Sequence, residues 1–201
     1  MDGDETRVAF VGLTGGIGAG KSEALAALER LGAATLSTDA VVHELYGEPD
    51  VRDAVVGRWG PDVAPGGEAD RAAIARAAFA SDEDRAWLEG LVWPRVGARI
   101  AAWRETLDTR EPAPVAAVIE VPLLFEAGME GAFDATIAVV ADEAVREGRA
   151  GARGHAALDE RSARQLPQDE KARRATYTVV NDGSLEDLEE KLSAILANLE
   201  R

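Results

Sequence analysis

The chain has 201 residues, 46% of them apolar, and no cysteine, so it can bury a substantial core but has neither disulfide staples nor thiolate metal ligands. Lys and Arg total 22 against 37 Asp and Glu, and the resulting net charge of −15 repels phosphate backbones and argues against nucleic acid as a partner. No apolar run approaches the ~20 residues of a membrane helix, and the acidic opening from Met1 to Arg7 reads as a short tail, unlike an export signal. The expectation is one cytoplasmic domain over residues 1–201, without membrane or nucleic-acid partners, as a monomer or weak homo-oligomer.

Arg7 to Leu13 (RVAFVGL) is a short apolar run closed by Thr14 and glycines, as a buried parallel strand would be. Lys21 to Gly32 then carries Leu25, Leu28 and Leu31 at helical spacing and stops at Gly32, a suitable C-terminal cap. Ala33 to Ser37 predicts a second strand. From about Thr38 to Pro114 the chain reads as helices, with Trp87, Leu91, Ile100 and Trp103 as core candidates, Pro94 as a kink and Pro61 to Asp70 as the most loop-like part. Val115 to Val121, Ala135 to Val140 and Thr176 to Val180 predict three further strands. Strands separated by helical material are the signature of an α/β fold, here a five-stranded parallel sheet covered on both faces. Asp142 to Arg174 reads as a charged, arginine-rich helical stretch, and Ser184 opens a terminal helix with Asp187 placed for a capping interaction.

The chemistry is carried first by Gly15 to Ser22, which satisfies G-x-x-x-x-G-K-[ST] between a predicted strand and a predicted helix. In this pattern the backbone of Gly15, Gly16, Ile17, Gly18, Ala19 and Gly20 turns its N–H groups toward one phosphate chain at the positive end of the following helix. Lys21 supplies a mobile charge for the β and γ phosphates, and the Ser22 hydroxyl is a hard oxygen ligand for Mg²⁺. A dinucleotide fingerprint cannot be laid over these glycines. A guanine-nucleotide switch is excluded as well, because [NT]-K-x-D is absent and no aspartate has glycine three places on.

Asp39 lies just beyond the second strand, at the end of the sheet where such folds place their chemistry. It could accept the proton of an attacking hydroxyl, or it could cap the helix that starts there. Glu120, at the end of the third strand, could assist Mg²⁺ or be a solvated strand-end charge. Arg146, Arg149 and Arg153 share one helical face, and arginine's planar fork suits phosphate. Ion pairs with Glu143, Glu147 and Glu160 would explain some of them equally well. His43 and His155 stand alone and read as solvated or structural.

Three separated segments resemble the dephospho-coenzyme A kinase family, in the family's order and over nearly the whole chain. They are GLTGGIGAGKS at the loop, VPLLFEAG from Val121 to Gly128, and the RQLPQDEK stretch leading to an Asn-Asp-Gly-Ser turn. The resemblance implies a P-loop NTPase of nucleotide-kinase type, with an inserted helical acceptor-binding lobe over 38–114 and a helical lid over 142–165. It implies phosphorylation of the ribose 3′-hydroxyl of dephospho-CoA by ATP with Mg²⁺. Carried over by position, it makes Asp39 the base and Arg149 and Arg153 lid arginines, sets Asn181 near adenine and Arg71 in the lobe, and lets Pro122, Leu123 and Leu124 line the acceptor site. Three departures stand out: Ser37 replaces the first aspartate of the family's Asp-x-Asp, Trp93 precedes Pro94 where the family has histidine, and the Gln-Leu-x-Arg that begins the family's lid reads REGR from Arg146 to Arg149. The rivals are a kinase for another small alcohol or nucleotide and a nucleotide-binding regulator without catalysis, which intact Lys21, Ser22 and Asp39 argue against.

Overall fold

Five strands, β1 (Phe10–Gly15), β2 (Ala34–Ser37), β3 (Ala117–Glu120), β4 (Ala135–Val140) and β5 (Tyr177–Val180), form one sheet in the order β2-β3-β1-β4-β5. All four pairings are parallel. They belong to a computed structural model that describes residues 7–151 and 165–199. The chain runs to one side of β1 for β2 and β3 and to the other for β4 and β5, so β1 sits where the connections change direction. In open α/β sheets the carboxyl ends of the strands at such a point form the ligand crevice.

Every residue of β1 is buried, which requires apolar or small side chains on both faces. Val11 and Leu13 join a core with Leu28 of α1 (Lys21–Arg30) and with Leu188 and Leu192 of the terminal helix, Leu185–Leu199. The alternate residues of β1 face the other way: Leu124 lies against Gly12, and Thr14 meets Lys171. Helix α1 ends as expected at Gly32 (φ 93°), where Gly32 N–H donates to Glu29 and Ala33 N–H to Leu28, satisfying the last carbonyls.

Of the five strands, only β4 matches its expected limits residue for residue. β1 starts later and runs on through Thr14 into Gly15, because Gly15 keeps its place in the ladder opposite Val139. Backbone pairing, to which a missing side chain is no obstacle, decides that end. The described residues divide into two compact units, one from the described parts of Met1–Ser37 and Arg104–Arg201, the other Thr38–Trp103.

The Thr38–Trp103 unit is built of α2 (Thr38–Gly47), α3 (Pro49–Trp59), α4 (Arg71–Ala78) and α5, which spans Asp82–Glu105 and so continues beyond it. The expected loop between α3 and α4 contains two short 3-10 turns, Pro61–Val63 and Pro65–Gly67. Helix α5 continues through Pro94, and Val92 is its buried residue; Trp87, Leu91, Ile100 and Trp103 are only half-buried. Large aromatic side chains on a helix keep an exposed edge even when one face is packed. Trp87 meets Trp59 edge-on at 5.1 Å between ring centroids, and Trp59 Nε1 donates to Asp84 at 3.0 Å.

Helices α6 (Glu143–Gly151) and α7 (Gln168–Arg174) follow β4, and α8 (Leu185–Leu199) ends the described chain. Ser184 and Asp187 form the expected reciprocal cap of α8: Ser184 N–H donates to Asp187 Oδ2 at 2.9 Å, and Asp187 N–H to Ser184 Oγ at 3.2 Å. The Ser184 backbone N–H holds the Asp187 carboxyl below its ordinary value of 3.8. Because the folded value is the lower one, its contribution to stability is complete above pH ~3.8 and disappears as pH falls through the folded value. Asp187→Asn should therefore unfold more easily than the parent at neutral pH, and the difference should close in acid titrations below that window. Among the described residues no helix is long and apolar enough to cross a membrane.

Candidate active site

The loop between β1 and α1 is shaped by three close approaches, one of them at Gly18, where a Cβ would overlap the Arg146 carbonyl oxygen. A Cβ on Gly15 would overlap the Val139 carbonyl oxygen of the neighbouring strand, and one on Gly20 would overlap the Asn181 side-chain amide. Gly20 also holds a left-handed backbone (φ 92°, ψ 28°) at the N-cap of α1, where no side chain caps the helix. The helix thus presents its own N–H groups and the positive end of its dipole, the arrangement that binds phosphate.

Lys21, the first residue of α1, turns its ammonium back over the loop and donates to the carbonyls of Gly15 and Gly16 at 3.1 Å each. Ser22 follows, exposed in the first turn. Ala19 N–H donates to the Gly16 carbonyl at 3.2 Å and closes the loop on itself.

Side chains from distant parts of the chain brace this loop. Asn181, just past β5 and 2% exposed, donates from Nδ2 to the Ala19 carbonyl at 3.0 Å. The carbonyl of Asn181 accepts from Arg149 at 3.1 Å, and Arg146 Nε donates to the Ile17 carbonyl at 3.0 Å. Arg149 and Asn181, expected at the nucleotide, are thereby brought to the loop, and Arg146 joins them. Arg153 lies outside the described residues, as do His155, Glu160 and most of the expected lid. A cleft of about 420 Å³ opens beside Gly16, lined by Glu143 and Arg146 of α6 and by Gln165 to Asp169. Gln168 anchors that rim with both amide atoms on Ala141, at 2.8 and 3.2 Å.

At the carboxyl ends of β2 and β3, Ser37 pairs in register with Glu120 and donates its hydroxyl to Glu120 Oε2 at 2.9 Å. Glu120 is 7% exposed, so the solvated strand-end alternative is set aside: a buried carboxylate is held in place there. Asp39 is the second residue of α2, within its first turn and two places inside the capping position that was its alternative. Arg71 begins α4 as an exposed residue, directly after Asp70, whose carboxylate accepts from the Ala72 and Ala73 N–H groups and caps the helix. Trp93 stands 53% exposed on α5, and His43 is exposed, as expected.

Pro122 and Leu123 are half-buried at the turn after β3, but Leu124 is fully buried against Gly12. Three consecutive residues of a turn cannot all face the same way. Leu124 anchors this one from beneath. The turn is also gripped by Lys171, the last residue of the RQLPQDEK segment. It is 0% exposed, paired with Glu126 at 2.9 Å, and it donates to the Pro122 carbonyl at 2.8 Å. Burial pulls the Lys171 ammonium below the ordinary lysine value, with Glu126 acting in the opposite sense. The available signal was its rarity, since only Lys21, Lys171 and Lys191 are lysines among 22 basic residues.

A parallel sheet whose central strand runs into a glycine loop, an uncapped helix and a lysine folded over that loop defines a P-loop phosphotransferase fold. The comparisons give the family. The family model described as Dephospho-CoA kinase matches residues 9–187. A dephospho-CoA kinase of Symbiobacterium thermophilum is 40% identical over 183 residues, 88% of this chain and 75% of the relative. One of Deinococcus radiodurans is 39% identical over 193 residues, 94% and 92% of the two chains. A crystal structure from Thermus thermophilus superimposes with a TM-score of 0.77 at 37% identity, covering 96% of this chain and 98% of that one. A dephospho-CoA kinase from Campylobacter jejuni, 20% identical, shares the fold with a TM-score of 0.61 over 96% and 98% of the chains. The chain belongs to the dephospho-CoA kinase family, whose kinases use ATP to convert dephospho-CoA to CoA in the last step of CoA biosynthesis.

Proposed function

We propose that this chain transfers the γ-phosphoryl group of ATP to the ribose 3′-hydroxyl of dephospho-CoA, giving CoA and ADP in the cytoplasm, as a monomer or weak homo-oligomer. The observation that carries the reading is the convergence of Arg146, Arg149 and Asn181 on a glycine loop that Lys21 already spans. In the transfer, the bond from the γ phosphorus to the ADP oxygen breaks and a bond to the ribose 3′-oxygen forms. Asp39 orients that hydroxyl and takes its proton. The loop N–H groups and Lys21 hold the β and γ phosphates, and Arg149, with Arg153, faces the charge that develops on the transferring group.

The donor set fits Mg²⁺. Ser22 offers a hydroxyl in the first turn of α1, Glu120 a buried carboxylate already oriented by Ser37, and both are the hard oxygens this ion takes alongside phosphates and water. When bound, the ion neutralises charge on the β and γ oxygens. Residues 38–114 supply the acceptor lobe, with Arg71 and Trp93 as its contacts, while Pro122 and Leu123 line the acceptor. Trp93 offers a stacking face and an indole N–H in place of the family's histidine. Residues 142–165 close over the donor and exclude water.

The test is the position of the new phosphate. Phosphorus NMR of the product from Mg-ATP and dephospho-CoA should show a phosphomonoester coupled to the ribose H3′. Coupling to another ribose proton would contradict the proposed geometry.

A further inference from the structure

Lys171 makes three contacts from a site without solvent: Glu126 Oε1 at 2.9 Å, the Pro122 carbonyl at 2.8 Å and Thr14 Oγ1 at 3.3 Å. An ammonium has three donors, and here three acceptors match them. The planar fork of arginine, which this chain uses almost everywhere else for positive charge, does not suit that arrangement. Thr14 in turn donates to the same Pro122 carbonyl at 3.3 Å. Glu126 Oε1 also accepts from Leu166 N–H at 2.7 Å, on the rim of the cleft beside Gly16. One ion pair therefore ties together the last turn of β1 before the phosphate loop, the Pro122–Leu123 turn and the start of the segment that leads into α7.

Such a pair is a poor device for stability alone. Taking two charges out of water costs about what their attraction returns, and apolar replacements of similar volume are often neutral or better. Glu126 Oε2 moreover has no hydrogen-bond partner among the described residues. What the pair supplies is a fixed distance between the phosphate loop and the turn.

We propose that Lys171, oriented by Glu126, is a positioning residue that holds the Pro122–Leu123 turn in register with the phosphate loop and so sets the acceptor's place relative to the transferring phosphate. This rests on the reading that Pro122 and Leu123 line the acceptor. Displacement of a reacting group by ~1 Å costs up to about 10²-fold, so loss of this tether should be visible in kinetics.

The experiment compares the parent with Lys171→Met, the double variant Lys171→Met/Glu126→Met, Glu126→Gln and Leu123→Ala. Each is measured for unfolding temperature, ATP affinity, and KM and kcat with dephospho-CoA. Lys171→Met alone strands a buried carboxylate and should destabilise the fold; the double variant removes both charges and keeps the volume. The expected result for the double variant is a folded protein with unchanged ATP affinity and a KM for dephospho-CoA raised roughly tenfold or more. Glu126→Gln should shift the same constant in the same direction by less. An unchanged acceptor KM in the folded double variant, or equal losses for ATP and acceptor, would reduce the pair to a structural contact and overturn the proposal. Leu123→Ala separates the two readings: if it leaves acceptor KM unchanged, the turn does not line the acceptor, and the placement and the proposal fall together. If Leu123→Ala raises it and the double variant does not, the tether alone is wrong.

Discussion

Asp39→Asn should bind ATP as the parent does and lose about 10²- to 10⁴-fold in turnover, the usual cost of removing a positioned base. The substitution keeps volume and hydrogen-bonding capacity and removes only the ability to take a proton. Two residues before Asp39, Ser37 ends β2 with its hydroxyl on Glu120, so the chain leaves the carboxyl edge of the sheet from a fixed point. The following helix begins at Thr38, and Asp39 falls in its first turn, where a carboxylate also complements the helix dipole. That second role makes a distinct forecast. If Asp39 served only the helix, Asn would lower stability slightly and leave kcat near the parent value. Steady-state kinetics together with ATP titration calorimetry decides between them, and a near-parental kcat would remove Asp39 from the chemistry.

Gly20→Ala should damage both the fold and the phosphate loop. Alanine in a left-handed backbone costs about 1–2 kcal/mol, and its Cβ would occupy the place of the Asn181 amide. Asn181 is buried, so it cannot swing into solvent; it must give up the bond to the Ala19 carbonyl, leaving a buried polar group at a cost of about 1–3 kcal/mol. The Asn181 carbonyl also carries the Arg149 contact, so the disturbance reaches α6. We expect a clear fall in unfolding temperature together with loss of most ATP affinity. Gly57→Ala is the control: that glycine lies inside α3 with open space at its Cβ position, and alanine there should stabilise by about 0.5–1 kcal/mol. Denaturant unfolding of the two variants checks both signs. Parental stability and ATP affinity in Gly20→Ala would mean that Asn181 does not brace the loop.

The sheet was legible because parallel strands buried on both faces leave mostly apolar runs, and β4, six residues between Asp134 and Ala141 with Thr136 as the one polar member, is a clear case. The phosphate loop was legible because its spacing encodes a backbone path. What escaped were contacts whose partners carry no local signal. Arg146 reaches a backbone carbonyl, that of Ile17, and a carbonyl leaves no mark in a sequence. Lys171 sits in QDEKARR, part of a stretch that reads as a charged helix, and only the fold turns that one side chain inward to Glu126. The burial of Leu124 was hidden for another reason: three neighbouring matches to a motif say nothing about which face of a turn each side chain takes. Glu120 read equally as a solvated charge until the register of β2 and β3 put it, buried, beside Ser37.

Ser37 also shows how the site absorbs a departure from the family pattern. Its hydroxyl donates to Glu120, a contact that an aspartate in that place could make only with a shared proton or an intervening cation. The buried carboxylate is therefore oriented by a neutral neighbour.

The central claim is the identity of the acceptor, and one measurement bears on it most directly. Purified protein with Mg-ATP is offered dephospho-CoA, AMP, adenosine or phosphopantetheine in parallel, and ADP release is followed. ADP should form in step with CoA when dephospho-CoA is present, with only background release from the other three. Absence of acceptor-dependent ADP, or faster release with AMP than with dephospho-CoA, would contradict it.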